Sequence, residues 1–167
     1  MCEFASLKAE HIPEIVAAFE AMGWDKPASQ YEKYLDEQDR GMRTVILAFQ
    51  ENGFVGYLTI LWSSSYTPFF DAGIPEISDL NVLIDHRKKG VGTSLVAEAE
   101  EIVRHRSSVV GIGVGMDRDY GPAQRLYVKL GYIPDGKGII SHGRYPKFGE
   151  QVEVNDSLNL YFTKDLA

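Results

Sequence analysis

Asp79-Leu80-Asn81-Val82-Leu83-Ile84-Asp85-His86-Arg87-Lys88-Lys89-Gly90-Val91-Gly92-Thr93 runs from a mostly apolar stretch, through a basic glycine loop, into a helical pattern. Leu95, Val96, Ala99, Ile102 and Val103 carry that helical pattern onward. A strand therefore delivers a glycine loop to the N-terminus of a helix. Unpaired backbone N–H groups and the positive end of the helix dipole converge there, and glycine lets the backbone come close to a phosphate. Arg87, Lys88 and Lys89 add positive charge, which suits a diphosphate or a ribose phosphate better than a single carboxylate. The same residues also describe a tight turn with a solvated charge run, and the loop alone leaves both readings open. It lacks the Gly-Lys-Ser/Thr ending of nucleotide-hydrolase phosphate loops and is not G-x-G-x-x-G, which sets those two classes aside.

Working outward, Ser108 to Val114 forms a short apolar strand, Ala123 to Leu130 a helix closed by Gly131, and Leu158 to Thr163 a last strand. Upstream, Ile77 to Ile84 is a strand, Ser63 to Gly73 a loop, and Thr44 to Phe49 and Phe54 to Trp62 a hairpin turning at Glu51-Asn52-Gly53. Glu3 to Lys8 reads as a first strand. Ile12, Ile15, Val16 and Phe19 mark a helix that begins at Pro13, and Tyr31, Tyr34 and Leu35 a second one ending near Gly41. Pro134 to Asp156 is a long polar insertion containing His142, Arg144 and Tyr145. The expected fold is α/β (α+β): one domain, residues 1–167, around a mixed, mostly antiparallel sheet flanked by helices.

The glycine loop resembles the acetyl-CoA signature of the GNAT acetyltransferase superfamily, Arg/Gln-x-x-Gly-x-Gly/Ala, with Arg87, Gly90 and Gly92 at the matching positions. Downstream, Gly121-Pro122-Ala123-Gln124-Arg125-Leu126-Tyr127-Val128-Lys129-Leu130-Gly131-Tyr132 resembles the second motif of that family, Ala-x-x-Leu-Tyr-x-Lys-x-Gly-Phe/Tyr. The two motifs with the strand between them span Ile77 to Tyr132.

The resemblance implies an N-acetyltransferase that moves an acetyl group from acetyl-CoA to a primary amine by direct attack. The cofactor would be held by Leu80, Val82 and Leu83 of the strand and by Arg87, Lys88, Lys89, Gly90, Val91, Gly92 and Thr93 of the loop and helix start. A backbone N–H near Val82 or Leu83 would stabilise the oxyanion. Tyr127 matches the family tyrosine that donates to the departing thiolate, although a tyrosine at that place also serves to pack its helix on the sheet. For the base, the strand offers Glu76 and Asp79. Their opposite parity implies that only one faces the cleft, and Ser78 stands where some relatives carry glutamate. Tyr120 departs from the family, many members having asparagine there.

The acceptor cleft of the family is built from its variable parts. Here those offer Trp24, Trp62, Tyr66, Phe69 and Phe70, which would hold an acceptor by stacking or cation–π contact and would equally serve as core. The chain has 167 residues, is 44% hydrophobic and 25% charged, and carries 24 acidic against 17 basic residues. Its net charge of −7 argues against nucleic acid and anionic membranes and mildly for an amine partner, a small molecule or a protein. Cys2 is the single cysteine, and His11, His86, His105 and His142 lie without ligand spacing, so neither a disulfide nor a metal site is expected. The first residues lack a basic start followed by an apolar stretch, and a cytoplasmic protein is the expectation. Family analogy suggests a homodimer. The alternative from another class is a non-catalytic acyl-CoA-binding regulatory module of the same fold, which the retained Tyr127 disfavours.

Overall fold

The computed structural model describes residues 1–167. Seven strands form one sheet: β1 (Glu3–Ser6), β2 (Arg43–Gln50), β3 (Gly53–Leu61), β4 (Glu76–Val82), β5 (Val109–Gly115), β6 (Ile133–Ser141) and β7 (Leu158–Asp165). Five α-helices accompany them: α1 (Ile12–Glu20), α2 (Ala28–Asp39), α3 (Thr67–Ala72), α4 (Val91–Arg104) and α5 (Gly121–Lys129). The strand order is β1-β2-β3-β4-β5-β7-β6, and every neighbouring pair is antiparallel except β4 and β5. The mixed, mostly antiparallel sheet read from the sequence is the one observed.

Alternation along the central strands divides the core between the two faces. Ile46, Val55, Leu58, Ile60, Ile77, Val110, Ile112 and Val114 pack with Leu95, Val96, Ala99 and Val103 of α4, together with Tyr127 and Tyr132. Val45, Leu47, Phe54 and Tyr57 pack on the opposite face against Ile12, Ile15, Phe19 and Tyr31 of α1 and α2. A smaller cluster of Tyr66, Phe69 and Ile140 continues that second face over β5. Burying side chains of this size is worth roughly 1.5–3 kcal/mol each, which is why the periodic positions fix the layers.

Two elements escape the sequence pattern. The expected loop Ser63 to Gly73 contains α3, which opens at Thr67-Pro68 and ends at Gly73 in the left-handed conformation, φ 64°. The expected polar insertion begins with β6, an edge strand whose pairing with β7 is interrupted between Pro134 and Ile139. Gly136 and Gly138 take φ of 81° and 78° there, so strand alternation is lost to the eye. No helix is long and apolar enough to cross a membrane.

Strand β4 is irregular on both of its edges. Opposite β3 it carries one extra residue: Thr59 faces Ser78 and Tyr57 faces Asn81, which leaves Leu58 against both Asp79 and Leu80. Asp79 takes φ 53°, the left-handed region rarely used by a residue with a side chain. Opposite β5 the strand pairs only at Glu76 with Gly111 and Ile77 with Ile112, the ladder starting from a bond from Gly111 N to Pro75 O of 2.9 Å and reaching no further than Ile77 and Ile112. Beyond that point β4 stays paired with β3 and β5 with β7, so the two strands part and leave an opening between them.

Candidate functional site

The opening leads to the first turn of α4. From Lys88 through Thr93 no backbone N–H donates to an acceptor within the protein; the first intrahelical bond is Ser94 N to Gly90 O, 2.9 Å. Lys88 and Gly90 both have positive φ, 59° and 85°, so the loop is left-handed twice before the helix begins. No side chain caps the helix at Gly90. A run of free donors at the positive end of a fourteen-residue helix is an anion site. At Gly92 an added Cβ would lie 3.4 Å from Leu126, 3.8 Å from Val82 and 4.0 Å from Leu80. The glycine therefore brings α4, β4 and α5 together at the mouth of the opening.

Lys88 and Lys89 are exposed and pair with no carboxylate. Arg87 is committed elsewhere. Its Nε donates to Val82 O at 3.0 Å and its guanidinium lies 5.2 Å from the centre of the Trp24 ring. It braces the end of β4 against the connection between α1 and α2.

Along β4 the backbone donors separate by edge. Leu83 N donates to Val55 O at 2.9 Å and is spent within the sheet. Successive residues of a strand point to opposite edges, so the Val82 N–H turns into the opening. Of the two oxyanion donors expected from the sequence, the geometry leaves Val82.

Tyr127 is 5% exposed, its ring inside the core under α4, and its hydroxyl makes no hydrogen bond within the protein. Burial, reinforced by the nearby Tyr120, pushes its pKa well above that of an ordinary phenol, because the phenolate would lose its hydration. Tyr120 itself packs its ring where a Cβ on Gly115 would stand, 2.4 Å away, and donates to Asp156 at 3.0 Å. The end of β5 is held instead by Gln124, whose Nε2 donates to Gly115 O at 2.9 Å.

The extra residue in β4 overturns the parity expected for the two carboxylates. Without it, Glu76 and Asp79 would face opposite ways; with it, both lie on the α2 face. Asp79 accepts from Tyr57 Oη at 2.5 Å, Tyr34 Oη at 2.9 Å, Asn81 Nδ2 at 2.7 Å and Lys26 Nζ at 3.3 Å. Burial would raise its pKa, yet Lys26 and these hydrogen bonds outweigh that and leave it below the usual aspartate range. Glu76 is 7% exposed and has one polar partner, Ser64 Oγ, at Oε2. Burial raises its pKa, with Ser64 and Arg43 opposing. The two carboxylates differ in character: Asp79 is a fixed anion with its lone pairs taken, Glu76 a carboxylate with an unused oxygen and greater basicity.

Partners on other elements complete this face; Tyr66 and Phe69 are among the aromatics the sequence offered for the cleft, whereas Arg43, Glu37 and Thr59 have no signature in it. Arg43 Nε meets Glu37 at 2.5 Å, its Nη1 donates to Thr59 Oγ1 at 2.7 Å, and its guanidinium stacks 4.0 Å from the Tyr34 ring. Across β5, Tyr66 stacks on Tyr161 at 3.8 Å with Phe69 edge-on, and Tyr66 Oη donates to Asp135 at 2.6 Å. Trp62 is not among these aromatics. It lies on the α4 side, donating to Thr44 at 3.0 Å beneath Arg106. Phe70 is 62% exposed on the outside of α3.

The arrangement is a paired opening: free main-chain donors and a helix dipole on one side, a carboxylate of raised basicity on the other, and an unpartnered phenol beside them. The model of the Acetyltransferase (GNAT) family matches residues 10–132. Among solved structures, a GNAT-family protein from Desulfovibrio desulfuricans is 15% identical with a TM-score of 0.74, over 100% of each chain. The ribosomal-protein-alanine N-acetyltransferase of Brucella melitensis is 19% identical with a TM-score of 0.70, over 98% of this chain and 99% of that one. The yncA protein of Salmonella typhimurium, solved with its cofactor acetyl-CoA, is 16% identical with a TM-score of 0.69, over 99% and 94%. At these identities the likeness is one of fold. No curated protein sequence matches.

Proposed function

This chain belongs to the Acetyltransferase (GNAT) family of acetyl-CoA-dependent enzymes, and on that premise we propose that it is an N-acetyltransferase whose acceptor amine enters on the α2 face and is deprotonated by Glu76. The observation that carries the reading is the contrast between Glu76, buried with a raised pKa and one polar partner, and Asp79, whose oxygens are all engaged.

The residues present fit acetyl-CoA. The free N–H run Lys88–Thr93 suits a diphosphate, Lys88 and Lys89 supply charge, and the unpaired edge of β4 at Leu80 and Val82 suits an amide-bearing arm laid between the strands. Acetyl-CoA supplies an acyl group activated by a thiol leaving group. Glu76 takes the proton of the attacking amine, directly or through water. Val82 N–H donates to the carbonyl oxygen as negative charge builds on it. Tyr127 keeps its proton because its pKa is raised, and its hydroxyl donates a hydrogen bond to the departing sulfur.

The single domain, residues 1–167, and the acceptor, a small-molecule or protein amine, belong to the same proposal. A protein acceptor is what the name of the Brucella melitensis relative describes for that protein. The test is release of CoA thiol from acetyl-CoA against a panel of amines, with binding followed separately. Amine-dependent release supports the enzyme. Acetyl-CoA binding without release would leave the binding module as the correct account.

A further inference from the structure

Asp79 has no task in this chemistry, yet it is the most heavily bonded side chain on the acceptor face. What surrounds it forms a recognisable set. Lys26 Nζ lies 3.3 Å from Asp79 Oδ1 and 3.1 Å from Tyr57 Oη, and 5.5 Å from the ring centres of both Phe19 and Tyr57. A carboxylate, a phenol oxygen and two ring faces converging on one nitrogen are the groups that recognise a primary alkylammonium ion. They come from α1, β3 and the extra residue of β4, so the site is built by the fold and the lysine reaches into it.

We propose that this cage is a primary-ammonium site filled from within by Lys26, and that Lys26 thereby restricts the acceptor to amines with a single cationic centre. The inference rests on the acetyl-transfer reading and extends it to substrate class. Asp79 follows Ile77, the last β4 residue paired with β5, and so stands at the mouth of the opening. It shares its face of β4 with Glu76, three residues away, so a diamine with one nitrogen at Glu76 has Asp79 within the same cleft. In this chain that second carboxylate is neutralised. A second ammonium group arriving there meets the ammonium of Lys26.

The occupant is also tethered. Lys26 lies in the seven-residue connection Ala21–Pro27 between α1 and α2, where Trp24 is stacked on Phe19 at 5.9 Å and covered by Arg87. A group held on such a short segment has an effective concentration in the millimolar range or above, which a free amine at lower concentration does not match. Arg43, the other cation on this face, is paired with Glu37 and does not compete for Asp79.

The experiment compares butylamine with 1,4-diaminobutane as acceptors for the wild type, Lys26→Met and Lys26→Met/Asp79→Asn, and titrates 1,4-diaminobutane into each protein calorimetrically without acetyl-CoA. Wild type should favour the monoamine. Lys26→Met should move the ratio of kcat/KM values toward the diamine by about tenfold, the effect of one modest charge pairing, and should bind the diamine where the wild type does not. The double variant should return the ratio to the wild-type value. Lys26→Gln, which keeps a donor to Asp79 but no charge, takes the place of Lys26→Met should that protein not fold, and the same direction is expected. A variant that melts lower while its acceptor ratio and diamine binding stay at wild-type values would overturn the proposal and leave Lys26–Asp79 as a brace for the connection. If no protein releases CoA with any amine, the acetyl-transfer reading fails, and the calorimetric titration still decides the cage.

Discussion

Glu76 and Asp79 lie three residues apart on one strand and present their carboxylates to the same face, because β4 holds one residue more than β3 between Thr59 and Tyr57. Proximity does not make them alike. Desolvation dominates at Glu76, where a single hydroxyl donates, whereas at Asp79 a lysine, two phenols and an amide outweigh it. One strand thus carries an anion prepared to take a proton and an anion prepared to refuse one.

Glu76→Gln should lower kcat/KM by about 10²–10³, the usual contribution of a positioned base, and should remove the acid limb of the pH–rate profile. In the wild type that limb should lie above the ordinary glutamate range. Ser64→Ala deletes the hydrogen bond that lowers the Glu76 pKa, so the limb should move to higher pH. A limb unmoved by either variant would assign it to another group.

Stability should respond to the two carboxylates with opposite signs. Glu76 has a folded pKa above its unfolded value, so its contribution is fully present below the unfolded pKa of about 4.3 and is lost as pH rises through the folded value. Asp79 has a folded pKa below its unfolded value, so its contribution is present above about 3.9 and is lost as pH falls through the folded value. At pH 7, Glu76→Gln should therefore raise the melting temperature even as it slows turnover, and Asp79→Asn should lower stability by about 1–3 kcal/mol. Denaturant titrations at pH 7 and pH 4 read both.

Tyr127→Phe keeps the buried ring and removes only the hydroxyl, which has no partner within the protein. Acetyl-CoA affinity should be unchanged and kcat should fall by roughly tenfold to a hundredfold. An unchanged kcat would leave Tyr127 as a packing residue.

Gly90→Ala forces a side chain onto a residue at φ 85° with open space around it, so its cost is one of backbone alone, about 1 kcal/mol or slightly more. The donors beyond it in the chain would turn with it. Acetyl-CoA binding should weaken by about tenfold with the melting temperature changed by only a few degrees, as calorimetry and a thermal scan would show.

The anion loop is legible in the sequence because all of its parts are contiguous: a strand, basic residues, two glycines and a helix succeed one another from Asp79 to Val103. The carboxylate pair is legible only by name. Nothing in Ser78-Asp79-Leu80 announces an extra residue, since Asp79 adopts its left-handed conformation without being glycine, and alternation counted through it assigns the wrong face. Lys26, Tyr34, Arg43, Tyr57 and Ser64 reach the same face from separate parts of the chain, and no spacing rule connects them. Trp62 shows the converse: an aromatic beside a strand end reads as part of the cleft, whereas its ring serves the opposite layer.

β6 closes the sheet at one side with a backbone edge that has no further strand to pair with. Pro134 removes one donor from that region, the left-handed turns at Gly136 and Gly138 break the straight run of pairing groups, and the ladder to β7 resumes only at Ile139. An incoming extended chain therefore finds no continuous template along this border, even though Ile133 and Ile139 stand exposed on it. The irregularity that hides β6 in the sequence is also what protects the folded chain from edge-to-edge polymerisation, so straightening it, as with Gly136→Val and Gly138→Val together, should produce aggregates that bind amyloid dyes.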